Sequence, residues 1–252
     1  MYLFLTSRKD ADDSYDFNDH ELLPTPKNFD DHHGTRCAGQ VAALKNNVCG
    51  VGIAYESKVA GVRILSGPIS DVDEAAALNY GFSNVSIYSC SWGPPDNGQS
   101  MEGPGYLIKK AVVNGINNGR NGKGSIFVFA SGNGAAQGDQ CNFDGYTNSI
   151  YSITVAAIDY KGMHPYYSEP CAANMIVAYS SGSGQHIVWI FFTTFACFSL
   201  TCHLFQVTTD KGQNSCATTH GGTSAAAPNA VGVFALALEA RHVRNPSEDI
   251  VD

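Results

Sequence analysis

"GSIFVFASGNG", residues 124–134, holds an unbroken apolar run, Ile126–Ala130, that stops at Ser-Gly-Asn-Gly. A strand with one wet face would alternate apolar and polar residues. A continuous run bounded by glycines suits a strand buried on both faces, as in a parallel sheet covered by helices. The chain repeats the pattern outward from this stretch. "KVAGVRIL" (58–65), "VSIYSCSW" (85–92), "SITVAAI" (152–158) and "MIVAYSSG" (175–182) read as strands. "HGTRCAGQVAAL" (33–44), "DVDEAAALNYGF" (71–82), "GYLIKKAVVNGINNG" (105–119) and "TSAAAPNAVGVFALALEARH" (223–242) read as helices. The second carries acids in its first turn and the third ends in Gly, both ordinary boundary signals. Residues 1–32 are polar and Asp-rich and read mostly as loop. Alternating strands and helices predict an α/β fold: a doubly wound, mostly parallel sheet with helices on both faces.

Composition narrows the function. The 252 residues include 23 carboxylates against 15 Lys plus Arg, and only 15% are charged. Phosphate binding wants the opposite sign, so nucleic acid is excluded as a partner. A basic substrate suits the charge if the acids converge on a cleft. Eight cysteines without zinc-ligand spacing point to disulfides in an oxidising compartment. "MYLFLTSRKD" (1–10) has no basic start and too short an apolar run for a secretory signal.

In a sheet of this kind chemistry gathers at the carboxyl ends of the strands. "HGGTSAAAP" (220–228) puts Ser224 at a helix start, after two glycines and before three alanines. Small neighbours leave room for a substrate backbone, and the helix N-terminus favours developing negative charge. Taken alone, this is equally an ordinary N-cap. "DDHHGTRCAG" (30–39) puts His33 at another helix start. Asn133 ends the strand of the opening stretch, where its amide can donate to an oxyanion or simply occupy a turn.

Together and in this order, these stretches resemble the subtilisin superfamily of serine proteases. "CGVGIAY", "RILSGPISDVDEAAALNY", "IYSCSWGPPDNG" and "GSIFVFASGNGAAQGDQCNFDGYTNSIYSITVAAID" are similar to its kexin/furin branch, the proprotein convertases. The likeness runs from about Ser14 to Ala240, interrupted only at 188–206. The resemblance implies a subtilisin-like fold truncated at both ends, with 1–240 as an incomplete catalytic domain and 241–252 as a divergent tail. It implies cleavage after Lys-Arg or Arg-Arg through an acyl-enzyme. His33 would be the general base, Ser224 the nucleophile and Asn133 the oxyanion donor. The family's triad Asp lies upstream of the part matched here, and neither Asp12 nor Asp13 takes its place. Loss of that carboxylate lowers the rate by roughly 10⁴, so the chain as written is expected to be inactive. A non-catalytic pseudo-protease that binds basic peptides is the alternative, and a non-proteolytic hydrolase is disfavoured by the acids.

By the same resemblance, Asp96 and Asp144 line the pocket for the arginine before the cut, Asp30 and Asp31 face the second basic residue, and Glu74 and Glu102 lie farther along. Asp96, Asp139 and Glu169 match a Ca²⁺ site, since converging carboxylates call for a hard cation. Leu44, Asn47, Val48 and Gly50 match a second one. Cys49 would pair with Cys216 and Cys141 with Cys171, leaving Cys37 near the histidine and Cys90 as a buried thiol. The parent protein would belong to the secretory pathway, in a Golgi-type membrane or lumen. Its prodomain would act as inhibitor, and any membrane attachment would lie in parts outside this chain; the prodomain and the P domain are not found in it.

"VWIFFTTFACFSLTCHLFQ" (188–206) has no Asp, Glu, Lys or Arg. It is nearly long enough to span a membrane, but a span there would part Ser224 from His33 and Asn133. Removing it restores a continuous convertase-like sequence. Val codons begin with GT, Gln can end in AG, and the Phe/Leu/Ile/Cys bias is that of a translated pyrimidine tract. The segment is therefore expected to be a retained intron.

Overall fold

The structure, a computed structural model, describes residues 8–182, 207–212 and 214–243. In chain order the elements are β1 (Arg8–Lys9), β2 (Tyr15–Asp16), α1 (His33–Ala42), β3 (Lys58–Val59), β4 (Val62–Arg63), α2 (Asp71–Ala77), β5 (Ile87–Cys90), α3 (Tyr106–Gly122), β6 (Ile126–Ala130), β7 (Ser152–Ile158), β8 (Asn174–Tyr179), β9 (Thr208–Thr209), β10 (Cys216–Ala217) and α4 (Thr223–Val243). The segment Val188–Gln206, with Cys197 and Cys202, lies outside the described residues, as does the tail beyond Val243.

β5, β6, β7 and β8 form one parallel four-stranded sheet in sequence order. The unbroken apolar run of β6 is explained by what covers it. Val128 and Ala130 face Ala226, Ala227, Ala230 and Val231 of α4. Phe127 and Phe129 point the other way, into Leu78, Tyr88 and Ile108 beside α2 and α3. Phe127, Val128 and Phe129 are each no more than 1% exposed. Burying such side chains stabilises by roughly 1.5–3 kcal/mol each. On α3, a Cβ at Gly115 would sit 2.6 Å from the Phe127 ring, so glycine is needed there. The regular helix stops at Gly119, and Arg120 and Asn121 take positive φ of 52° and 56°.

The polar N-terminal stretch is less of a loop than expected. Tyr15 N–H donates to Gly61 C=O (3.0 Å) and Phe17 N–H to Arg63 C=O (2.9 Å). β1 thereby runs parallel to β3, and β2 parallel to β4. The anchors are Tyr15 and Phe17, two aromatics in an acidic run, with Phe17 packed on Ile64 and Ala77. β9 and β10 form an antiparallel pair. The hydroxyls of Thr208 and Thr209 donate to the carbonyls of Arg36 and Thr35, which lashes this pair to α1.

Among the described residues, the sheet is interrupted between β4 and β5. There lies a cavity of about 800 Å³, reached by α1, α2 and α4. Close-packed interiors normally hold few voids larger than a water molecule.

Candidate active site

Ser224 opens α4 beside the carboxyl end of β5. Pro228 lies inside the same helix. Proline has no N–H, so the carbonyl four residues earlier, that of Ser224, loses its intrahelical donor. Two neighbours take it up: Ser91 Oγ donates at 3.2 Å and Cys37 Sγ at 3.4 Å. Asn133, just past β6, is fixed with equal care. Its Oδ1 accepts Thr223 N–H (2.8 Å) and the Thr223 hydroxyl (3.1 Å). Its own N–H donates to Asp96 Oδ2 (2.9 Å), and its Nδ2 lies 3.5 Å from the same oxygen. The side-chain amide therefore stands next to the turn that carries Ser224. Gly222 has φ 75°, and a Cβ on it would meet Asn133 Oδ1 at 2.8 Å.

His33 is the first residue of α1, which packs on α4. Its ring meets that of His220 edge-on at 5.6 Å. No hydrogen bond joins His33 to Ser224, whose Oγ instead lies 3.4 Å from Ser91 C=O. Among the described residues, no carboxylate forms an ion pair with His33. Burial first, then the nearby His32 and Arg36 charges, pull its pKa below the ordinary value. It is thus neutral near pH 7, the form a general base needs. His220, which the sequence marked only as the start of "HGGTSAAAP", is buried and held down to about 3. Its Nε2 is 3.5 Å from Cys37 Sγ. Burial pushes the Cys37 thiol up to about 12, so it is a neutral packing group.

A second cluster lies beside Asn133. Asp96, Asp139, Asp144 and Glu169 line a small pocket of about 10 Å³, room for about one water-sized sphere. Burial, then the Asp96 and Asp139 charges, push the Glu169 carboxyl up to about 7, although Gly134 N–H donates to it at 2.8 Å. Asp144 is also raised by burial and accepts Tyr146 N–H at 2.7 Å. Glu102 pairs by backbone with Asp144 in an isolated bridge. Glu74 is raised by burial and accepts the Tyr146 hydroxyl at 2.5 Å.

The subtilase family model matches residues 3–248. The chain belongs to the subtilase family. It is 58% identical over 231 residues to the dibasic-processing endoprotease of Yarrowia lipolytica, covering 92% of this chain and 22% of that protein. It is 54% identical over 231 residues to kexin of Saccharomyces cerevisiae, covering 91% and 26%. The chain thus spans about a quarter of the length of these curated relatives. Among solved structures, a serine protease of Aeromonas sobria superposes with TM-score 0.74 at 18% identity, covering 92% of this chain and 44% of that one. That likeness bears on the fold, which is subtilisin-like α/β.

Within this subtilase, the two cysteine pairs implied by resemblance are joined, Cys49–Cys216 and Cys141–Cys171, and Cys37 and Cys90 are buried thiols. Two expected roles look different in place. Asp31 lines the large cavity beside His33, but its carboxylate is already engaged within the protein. Burial works against its charge, but donors from Ser66, Asn28, Lys27 and Arg63 outweigh it and hold the carboxyl far below the usual range. Asp31 belongs to the frame around Arg63, while Asp30 stays exposed. In the 44–50 loop, Asn46 Nδ2 donates to Leu44 C=O (2.7 Å) and Gly50 C=O (3.2 Å). Two of the carbonyls expected to ligate Ca²⁺ there, with Asn47 and Val48, are turned onto that amide. Among the described residues no group of three or more acidic, His or Cys side chains has metal-ligand geometry. The Asp96, Asp139 and Glu169 donors nonetheless fit a hard cation: they are all oxygen, and burial with the neighbouring Asp96 and Asp139 charges raises the Glu169 carboxyl, a penalty that a cation's charge would offset.

Proposed function

We propose that this chain carries the catalytic face of a serine endopeptidase that cuts after paired basic residues, Lys-Arg or Arg-Arg. The observation that carries the reading is the placing of Asn133 between the Ser224 turn and the Asp96 carboxylate. One residue thereby joins an oxyanion donor, a nucleophile and an acidic pocket. Ser224 Oγ attacks the scissile carbonyl while His33 takes its proton. The tetrahedral oxyanion is held by Asn133 Nδ2 and the Ser224 N–H. The proton passes from His33 to the leaving amine, and water then hydrolyses the acyl-enzyme by the same route. Asp144 and Asp96 receive the guanidinium before the cut, Asp30 the second basic side chain, with Glu74 and Glu102 farther off. Asp96, Asp139 and Glu169 would hold Ca²⁺, which supplies charge balance beneath the pocket.

In this reading residues 1–240 are a catalytic unit, 188–206 is a retained intron, and the parent works on peptide and protein substrates in the secretory pathway under prodomain control. The chain alone turns over little substrate, because among the described residues His33 has no carboxylate to hold its tautomer and orientation. That feature favours the second reading, a non-catalytic binder of basic peptides. A phosphonate probe for reactive serines separates the two. Labelling that is lost in Ser224→Ala supports the protease; tight binding of a Lys-Arg peptide with no labelling, even in a parent with a complete triad, supports the binder. In an active parent, Asp144→Asn raises the barrier read from kcat/KM on arginine substrates by about 2–4 kcal/mol. Equal kinetics on a dibasic peptide would refute the pocket.

A further inference from the structure

Asn84-Val85-Ser86 is the one Asn-x-Ser/Thr triplet in the chain without Pro in the middle. Such a triplet is an acceptor for an N-linked glycan when it lies on the surface of a protein made in an oxidising lumen. Asn84 is exposed, as is Ser83 before it. The disulfides Cys49–Cys216 and Cys141–Cys171 belong to that compartment. We propose that Asn84 is an N-glycosylation site, and that its glycan stands at the amino end of β5, away from Ser224. The proposal rests on the secretory-pathway reading above.

The fold satisfies the main chain of this triplet without using the Asn84 side chain. The N–H groups of Asn84 and Val85 both donate to Gly81 C=O, each at 2.8 Å, in a turn where Gly81 takes φ 65°. From the α3 side, Arg120 N–H donates to Phe82 C=O (2.8 Å) and Ser125 Oγ to Val85 C=O (3.0 Å). Ile126 N–H donates to Ser86 C=O at 3.0 Å. A substituent on the Asn84 amide breaks none of these bonds. Asn84 Nδ2 lies 3.4 Å from Asp13 Oδ1. A primary amide has two N–H donors, so a glycosylated one keeps a donor for Asp13. Asn84 lines the large cavity and is exposed at the same time, which puts it at the rim. β5 then runs from Ile87 to Cys90, and Ser91 beyond it holds the Ser224 carbonyl. At about 3.3 Å per residue, the strand separates Ser86 from Ser91 by roughly 16 Å. Two weaker triplets with Cys in third place, Asn47-Val48-Cys49 and Asn214-Ser215-Cys216, lose that thiol to a single disulfide. The transfer joins Asn84 Nδ2 to the anomeric carbon of an oligosaccharide carried on a polyprenyl diphosphate. The amide gives up one proton, the C–O bond to the diphosphate breaks, and the diphosphate leaves with the electron pair.

The test expresses the whole chain behind a cleavable secretory leader in yeast. One discrete upward shift in gel mobility is expected. An amidase that releases N-linked glycans reverses it and leaves Asp in place of Asn84, which peptide mass spectrometry reads directly. The shift is lost in Asn84→Gln and in Ser86→Ala, and kept in Ser86→Thr. Ser86→Ala leaves the Asn84 amide in place, so it decides the matter even if Asn84→Gln fails to fold. No shift in the native chain, a shift that survives Ser86→Ala, or a glycan found at Asn47 or Asn214 instead would overturn the proposal. The parent protein from its own cells is the second readout. A glycan on Asn84 there supports the site and the pathway together. A parent without that glycan whose Cys49–Cys216 and Cys141–Cys171 disulfides are joined counts against the site. A parent in which those four cysteines are free thiols counts against the secretory reading, while the leader-directed chain still decides the site, so the two failures are distinguishable.

Discussion

The two sides of the candidate site are built in opposite ways. On the Asn133–Ser224 side, β6 is paired on both edges and packed on both faces, and the Asn133 side chain and the Ser224 carbonyl are held by hydrogen bonds. On the His33 side, β3 and β4 are two residues long and face the cavity between β4 and β5, a slot in the sheet, and among the described residues His33 is placed by ring packing and helix position. Both sides begin with a functional residue at a helix N-terminus. What separates them is whether the neighbouring strand has a partner on each edge. A helix start brings a side chain near its work, and only a closed sheet beneath it sets its direction.

The contrast can be broken at the slot side first. Arg63 is the tie there, with Asp16 at 2.8 Å, Asp19 at 2.5 Å and Asp31 at 3.1 Å. Asp16 is 0% exposed. Arg63→Met leaves a buried carboxylate without its partner and is expected to lower stability by about 3–5 kcal/mol in a urea titration. A loss under 1 kcal/mol would mean that these strands are held by packing instead. Next comes the disulfide that crosses to β10. Cys49→Ser with Cys216→Ser is expected to lower stability by about 2–4 kcal/mol, with faster exchange in α1 and β9 before β6 and β7. Uniform loosening of both sides would contradict the division.

The closed side is sharpened by pH. Glu169 has a folded pKa of about 7 against an ordinary 4.5. Between these values the folded state binds more protons than the unfolded chain, so stability falls as pH rises through that window. In chelator, the melting temperature is expected to drop from pH 4.5 to 7, by at most about 3 kcal/mol in stability. Glu169→Gln removes that slope, and added Ca²⁺ offsets it in the native chain only. A slope unchanged in Glu169→Gln would assign it elsewhere. The smallest effect is expected at Ser91→Ala, which removes one hydroxyl donor from the Ser224 carbonyl and is worth about 0.5–1.5 kcal/mol by thermal melting.

The closed side was legible in the sequence because its signals are local. The apolar run of β6, the small residues before and after Ser224, and Gly119 ending α3 each state their own environment within a few positions. The slot side was not, because its determinants are distant. Arg63 meets carboxylates more than thirty positions away, so no spacing announces that Asp31 belongs to a structural tie. His220 reaches His33 across 187 positions, and Asn46 competes for carbonyls that a loop motif alone would assign to an ion. The gap between β4 and β5 is a property of topology, which no window of sequence contains.

One proline links the two sides. Because Pro228 leaves the Ser224 carbonyl without its helical donor, that oxygen is gripped by α1 through Cys37 and by the end of β5 through Ser91. These are opposite banks of the slot. The Ser224 main chain is therefore a gauge of slot width: a change in the separation of the banks alters two contacts on a single atom, and the Ser224 hydroxyl moves with the backbone that carries it.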